Sequence, residues 1–247
     1  MDQKELYERN WSNRLIRNPE MWPINTIIKK ILKGNGRILE IGPGIWPKSP
    51  IASTFFLELT EVGAANLRKV GARASTGSIE NIPFQDCSFD IVVALEVIEH
   101  VPNVQKSFSD VKRVLKRGGY FIFSTPVHQK LWTHFDTLAG HLRRFNPTML
   151  LKYTLSNDLR LIKFTGRKDA PLFISNLNAL MEIRFRSIFT FFSEMGLNLL
   201  SSVHGSKIYR ELNKQAYDHK LWLEPNLFLN MSKKFGNVTL ICRKKLN

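Results

Sequence analysis

Ile38-Leu39-Glu40-Ile41-Gly42-Pro43-Gly44 is the stretch that decides the fold. An apolar run ends in an acid, and two glycines follow at once. Such a run reads as a buried parallel strand that turns sharply at its C-terminal end, the end where open α/β sheets bind ligands. Glycine allows the backbone unusual dihedrals and a close approach to a ligand. The acid beside the turn suits a cationic amino-acid moiety better than a pyrophosphate, which it would repel.

Outward from this turn, strands and helices alternate. Residues 3–33 read as helical with a break at Trp22-Pro23, and Ile38–Ile41 as the first strand. Phe55–Leu59 is a strand, Glu61–Val70 a helix closed by Gly71, and Ala72–Thr76 a short strand. Asp90–Leu95 is a buried β-branched strand, Val97–Leu115 mostly helix, and Tyr120–Ser124 a strand after Gly118-Gly119. Alternation of this kind implies a parallel sheet with right-handed crossovers. Beyond Pro126 a helix is expected over Pro147–Leu155, strands over Leu159–Thr165 and Val238–Cys242, and a mainly helical insertion over 170–222. The fold class is therefore α/β: a Rossmann-like seven-stranded, mostly parallel sheet with helices on both faces and a helical insertion before the last strand.

The chain has 247 residues, 43% of them hydrophobic, enough for one domain with a proper core. Two cysteines, Cys87 and Cys242, form neither a disulfide framework nor a metal cluster, and no apolar signal segment opens the chain. These features favour a cytoplasmic protein. The net charge of +15 is uneven: residues 1–125 hold 17 basic and 13 acidic side chains, residues 126–247 hold 19 and 8. The basic half suits an anionic substrate, a nucleic acid or peripheral contact with an anionic membrane, or is a solvated face.

Five ordered motifs resemble the class I S-adenosylmethionine-dependent methyltransferases, especially the small-molecule, lipid and quinone-type group. Glu40-Ile41-Gly42-Pro43-Gly44 matches the acid-x-Gly-x-Gly turn, and Glu58 the acid ending the second strand. Gly77-Ser78-Ile79-Glu80-Asn81-Ile82-Pro83-Phe84 before Ser88-Phe89-Asp90, Ala94-Leu95-Glu96-Val97-Ile98-Glu99-His100-Val101, and Leu115-Lys116-Arg117-Gly118-Gly119 match the next three. The resemblance implies S-adenosylmethionine as cofactor, with S-adenosylhomocysteine as product. It assigns Glu40, Gly42, Pro43 and Gly44 to the methionine end, Glu58 and Leu59 to the ribose, and Ser78, Ile79, Leu95 and Glu96 to the adenine side and fourth-strand exit. A carboxylate suits a vicinal diol because it accepts two hydrogen bonds. The domain then divides into a cofactor core over 36–126, a substrate-side loop and helical insertion over 127–236, and a last strand over 237–243.

Three departures stand out. Trp46 occupies the place of a third glycine, either near the cofactor mouth or packing the loop, and only 13 residues separate Gly44 from Glu58, so the first crossover is short or irregular. Ser78 stands where an Asp is usual. A dinucleotide-binding reading needs a glycine where Pro47 stands, and a P-loop is excluded because no Gly-Lys-Ser/Thr occurs.

Methyl transfer requires alignment more than a fixed catalytic signature, though an oxygen or nitrogen acceptor uses a base. His100, His128 and His141 are the candidates. Glu96 and His100 would share a helix face, as a catalytic or a structural pair. The stretch His128–Phe145 resembles one in bacterial methyltransferases of unassigned substrate, with Asp136, Gly140-His141 and Arg144 in an Asp-x-x-x-Gly-His-x-Arg-Arg pattern. Trp132, Arg143 and Arg144 are candidate substrate contacts; the alternative is an Asp136–Arg144 ion pair that orders the loop. No metal is expected, since His134, Asp136 and His141 lack ligand spacing. Phe185, Ile188, Phe189, Phe192 and Met195 recur at helical spacing, as core, acyl pocket or membrane face. A small or amphipathic acceptor is expected. Nucleic acid is disfavoured, because no Asn/Asp-Pro-Pro-aromatic turn follows the fourth strand and no RNA-binding module is recognisable. A cofactor-binding protein without catalysis and an RNA methyltransferase remain the alternatives.

Overall fold

The computed structural model describes residues 3–12, 15–19, 24–32, 34–167 and 222–246. The expected insertion over 170–222, with Phe185 to Met195, lies outside them but for its last residue.

Seven strands form one sheet in the order β3-β2-β1-β4-β5-β7-β6. They are β1 (Ile38–Ile41), β2 (Thr54–Glu58), β3 (Arg73–Thr76), β4 (Phe89–Leu95), β5 (Leu115–Pro126), β6 (Leu159–Arg167) and β7 (Asn237–Lys244). Pairings among β1 to β5 are parallel, and β7 runs antiparallel to both β5 and β6. Strand order reverses between β1 and β4, so the loops leaving those strands flank the crevice where such sheets take ligands.

Side chains alternate across the strands, and each face finds its own helices. On one face Leu39, Val92, Phe121, Phe123 and Leu240 pack with Phe108 and Val111 of α4 (Val104–Val114) and Leu150 of α6 (Pro147–Ser156). On the other, Ile38, Ile91, Val93, Ile122 and Ile241 pack against Ile24, Ile27 and Ile28 of α2 (Ile24–Ile31). The remaining helices are α1 (Gln3–Trp11), α3 (Glu61–Lys69) and α5 (His134–Ala139), with a single turn at Phe228–Met231. Side-chain caps set several starts: Thr60 accepts from the Gly63 N–H, Asn103 from Lys106, and Asn146 from Thr148 ahead of Pro147.

One helix expectation needs correction. The segment after β4 is not one helix from Val97. A three-residue 3-10 turn, Ile98–His100, precedes Pro102, and α4 starts only after Asn103, because proline disfavours helix in the residue before it. Between β1 and β2 the crossover holds no α-helix, only the 3-10 turn Ile51–Ser53. Ile16 from the N-terminal segment packs instead with Ile51, Phe56 and Leu67, and the Arg17 N–H bonds the Ile45 carbonyl at 2.8 Å.

Candidate active site

The turn after β1 runs through two left-handed glycines, Gly42 at φ 63° and Gly44 at φ 57°. Their space is bounded on both sides. A Cβ on Gly42 would lie 2.9 Å from Val97 in the loop after β4, and one on Gly44 would lie 2.9 Å from the Trp11 ring of α1. Pro43 between them is buried.

The two acids of the cofactor motifs have different surroundings. Glu40, 2% exposed, accepts the backbone N–H groups of Lys48 and Ser49 at 2.7–3.0 Å. Burial raises its pKa, those hydrogen bonds oppose the rise, and the Lys48 charge lowers it further. Glu40 therefore ties down the loop carrying Trp46. Glu58, 3% exposed at the end of β2, accepts the Gly44 N–H at 2.6 Å, and burial pushes its carboxyl up to about 7. Next along the sheet, the Gly77 N–H bonds the Glu58 carbonyl at 2.8 Å, which brings Ser78 and buried Ile79 to the same strand ends. The Ser78 hydroxyl accepts the Glu80 N–H. Leu59 and Leu95, at the exits of β2 and β4, are half-buried.

Glu96 adopts φ 57°, accepts from Ser124 Oγ, and takes both Asn237 Nδ2 contacts at 2.8 and 3.0 Å. It is therefore engaged by β5 and β7. The expected helix face shared by Glu96 and His100 does not form, because Glu96 precedes the 3-10 turn.

Helix α1 crosses the mouth of this cradle. Tyr7 and Trp11 stack with ring centroids 6.2 Å apart, and the Tyr7 hydroxyl lies 2.7 Å from His100 Nδ1. Burial and then the charges of Glu99 and Glu58 raise the Tyr7 pKa. One hydroxyl thus lies in the field of the acid at the end of β2 and of the acid next to His100.

The loop after β5 completes the site. Thr133 and Asp136 form a capping box that starts α5, and Gly140 at φ 77° ends it. The Leu142 N–H then bonds the Glu99 carbonyl at 2.9 Å, which docks His141 beside His100 with ring centroids 4.7 Å apart. His141 Nδ1 lies 2.8 Å from Asp136 Oδ1, and Arg144 Nε and Nη2 both bond Asp136 at 2.9 Å. Burial pushes Asp136 up, but the hydrogen bonds from His141 and Arg144 outweigh it and hold the carboxyl well below its usual range. Glu99, 0% exposed, accepts from Thr125 at 3.1 Å, and its pKa is raised well above normal by burial and by Glu96. Burial, followed by His141, lowers His100 to about 4.

Among the sequence candidates, the structure brings His100 and His141 together. His128 Nε2 is bonded instead to the Ser232 carbonyl at 2.9 Å, which fits an anchoring role rather than a base. The Arg144 guanidinium, 6% exposed, is forked onto Asp136, so it orders the loop rather than clamping a substrate. Arg143 reaches the Pro102 carbonyl at 3.4 Å. Trp132 and Phe135 stand edge-on to His141 at 6.5 and 6.4 Å between centroids. Tyr7, Trp11, Glu99 and Asn237 were not among the candidates read from the sequence. The signal for Glu99 was there: an acid inside Val97-Ile98-Glu99-His100-Val101 has apolar neighbours and is set for burial.

The cradle fits S-adenosylmethionine. A buried carboxylate pushed up to about 7 gains from neutral hydroxyl donors such as a ribose diol, and would repel a phosphate. The left-handed turn requires glycine, since a Cβ there would meet Val97 or Trp11, and it keeps the backbone bare at the strand end.

Comparison with known proteins agrees with this fold. Residues 49–123 match the methyltransferase domain family. A ubiquinone biosynthesis O-methyltransferase of Coxiella burnetii is 30% identical over 98 residues, covering 34% of this chain and 42% of that protein. The uncharacterized methyltransferase YcgJ of Bacillus subtilis is 31% identical over 127 residues, covering 43% and 50%. These matches thus span half the length of the curated relatives, or less. The crystal structure of YcgJ superposes with a TM-score of 0.58 over 90% of this chain and 98% of that one, at 18% identity. A SAM-dependent methyltransferase structure from Thermotoga maritima superposes with a TM-score of 0.60 over 99% and 100%, at 17% identity. Residues 49–123 thus match the methyltransferase domain family, and the seven-stranded sheet with its glycine turn has the fold of these S-adenosylmethionine-dependent methyltransferase structures.

Proposed function

We propose that the protein transfers a methyl group from S-adenosylmethionine to an oxygen of a small, amphipathic and anionic acceptor. The observation that carries this is the position of Tyr7: its hydroxyl meets His100 and lies in the fields of both Glu58 and Glu99, so the cofactor cradle and the histidine pair adjoin. When bound, S-adenosylmethionine supplies an electrophilic methyl group together with its leaving group.

The chain's own residues bind and orient. Glu58 is placed to accept the ribose hydroxyls, the Gly42–Gly44 turn gives the methionine end close approach, and Ile79 supplies apolar surface beside Ser78. On the acceptor side, Asp136 fixes His141 with its proton on Nδ1, and His100 Nδ1 is held between the Tyr7 hydroxyl at 2.7 Å and the Gly140 carbonyl at 3.2 Å. The Nε2 atoms of both rings are then the groups that receive the acceptor oxygen, directly or through a bound ion. Trp132 and Phe135 form an aromatic rim, with Phe135 and Leu142 each 48% exposed and Arg143 following in the chain. That combination supports an acceptor with an apolar body and a negative group.

A methyl-transfer screen tests the reading. Cell extract separated into lipid, glycan and RNA fractions is incubated with methyl-labelled cofactor and the protein. Label in the lipid or small-glycan fraction is expected, lost in His141→Ala while S-adenosylhomocysteine still binds. Label confined to RNA would overturn the acceptor class, and no label in any fraction despite cofactor binding would favour a binding protein without catalysis.

A further inference from the structure

Glu99, His100 and His141 turn three potential ligand atoms toward one another. His100 Nδ1 lies 2.7 Å from the Tyr7 hydroxyl and 3.2 Å from the Gly140 carbonyl, so Nε2 is the ring nitrogen of His100 turned toward Glu99. The Asp136 carboxylate, 2.8 Å from His141 Nδ1, fixes the proton of that ring on Nδ1. Both Nε2 atoms lie 3.9 Å from Glu99 Oε1. That oxygen is fully buried and has no hydrogen-bond partner among the described residues, while Thr125 serves the other carboxylate oxygen. The three ligand atoms lie within 4.8 Å of one another.

A buried carboxyl oxygen without a hydrogen-bond partner is costly, and 3.9 Å to either ring nitrogen is well beyond hydrogen-bond length. A metal ion spans the gap: with metal–ligand bonds of about 2.1 Å, tetrahedral ligands stand about 3.4 Å apart, so the two Glu99–histidine pairs close by about half an ångström and the two ring nitrogens by up to about 1.4 Å. Outer contacts are already in place: the second ring nitrogen of His141 meets the Asp136 carboxylate, and that of His100 meets the Tyr7 hydroxyl and the Gly140 carbonyl, as the second nitrogens of metal-bound histidines are held.

We propose that Glu99 Oε1, His100 Nε2 and His141 Nε2 bind one divalent first-row transition cation. Two imidazoles and one carboxylate favour Mn²⁺, Co²⁺ or Zn²⁺ over Mg²⁺ and Ca²⁺, which prefer oxygen ligands. Three protein ligands leave the cation open positions, and these suit an acceptor oxygen or a pair of neighbouring oxygens. The sequence expectation of no metal is thereby replaced by a site that differs from His134, Asp136 and His141: Asp136 serves as an outer partner, and His134 is exposed. The role given to the cation, holding the acceptor oxygen, rests on the methyl-transfer reading; its binding does not.

The test uses the full chain, stripped with chelator and titrated separately with Mn²⁺, Co²⁺, Zn²⁺ and Mg²⁺ by calorimetry, with visible absorption for Co²⁺. One site per chain is expected, at least tenfold weaker for Mg²⁺. Glu99→Gln and His100→Gln should each weaken Co²⁺ at least a hundredfold, and His134→Ala should leave it unchanged. Should those two variants fail to fold, the wild-type protein still decides: its thermal midpoint rises with Co²⁺ under the proposal. Absence of saturable binding, binding unchanged in both folded variants, or Mg²⁺ bound as tightly as Co²⁺ would overturn it. S-adenosylhomocysteine is titrated into the same samples. Its binding without cation binding defeats the metal site alone; cation binding without it defeats the methyl-donor reading and leaves the metal site standing.

Discussion

Asp136 Oδ1 accepts the His141 Nδ1–H at 2.8 Å while the same carboxylate holds the Arg144 fork. One buried acid therefore sets a histidine tautomer at the site and neutralises the arginine that closes the loop. The Asp136 side chain is 0% exposed and that of Arg144 6%.

Asp136→Asn removes the charge that the buried Arg144 fork engages. Loss of one partner of a buried pair costs about 3–5 kcal/mol. Urea unfolding should show a stability loss of that order. A loss below about 1 kcal/mol, the level of an exposed pair, would mean that the fork contributes little.

Glu58→Ala removes the carboxylate assigned to the ribose hydroxyls. Hydrogen bonds to charged groups contribute about 1.5–3 kcal/mol, so S-adenosylhomocysteine should bind roughly ten- to a hundredfold more weakly by calorimetry. Unchanged affinity would place the ribose elsewhere.

Glu58 also makes stability depend on pH. Its carboxyl has an ordinary value of 4.5 and is pushed up to about 7 by burial in the folded chain. Between these values the folded state keeps a proton that the unfolded state has released, so stability falls as pH rises from about 4.5 to about 7. The full effect is on the order of 3 kcal/mol at 1.36 kcal/mol per pH unit. Denaturation midpoints of the wild type should fall across this window, and Glu58→Gln should flatten the slope. An equal slope in the variant would assign the dependence to other groups.

Gly44→Ala combines two costs. The left-handed backbone costs a side-chain-bearing residue about 1–2 kcal/mol, and the new Cβ would lie 2.9 Å from the Trp11 ring. The substitution should destabilise the chain by more in the wild type than in a Trp11→Ala background, where only the backbone cost remains. Equal costs in both backgrounds would show that α1 does not lie against the turn.

Residues 38–126 were largely legible in the sequence because their order is local. The β-branched run of β4, the glycines after β1 and the acid ending β2 announce strands and turns through backbone sterics and burial of neighbours. The 13-residue gap before Glu58 likewise forecast the short crossover. The Val97 helix was misjudged because apolar spacing continued through Pro102, where backbone geometry overrides periodicity.

The sequence by itself thus determined the sheet, the glycine turn and the methyl donor that suits them. Tertiary structure decided the acceptor side, because its members are far apart in the chain: Tyr7 meets His100 across 93 positions, and His141 reaches it from the loop after β5. It also drew Glu40 onto the Lys48 and Ser49 N–H groups, bonded Glu96 to Asn237, and left Glu99 Oε1 without a hydrogen-bond partner among the described residues, facing two imidazole nitrogens. Which of several acids is neutralised and which is left exposed to a ligand depends on the donors that folding brings within 3 Å. Periodicity records which residues are buried, but not which donors meet them.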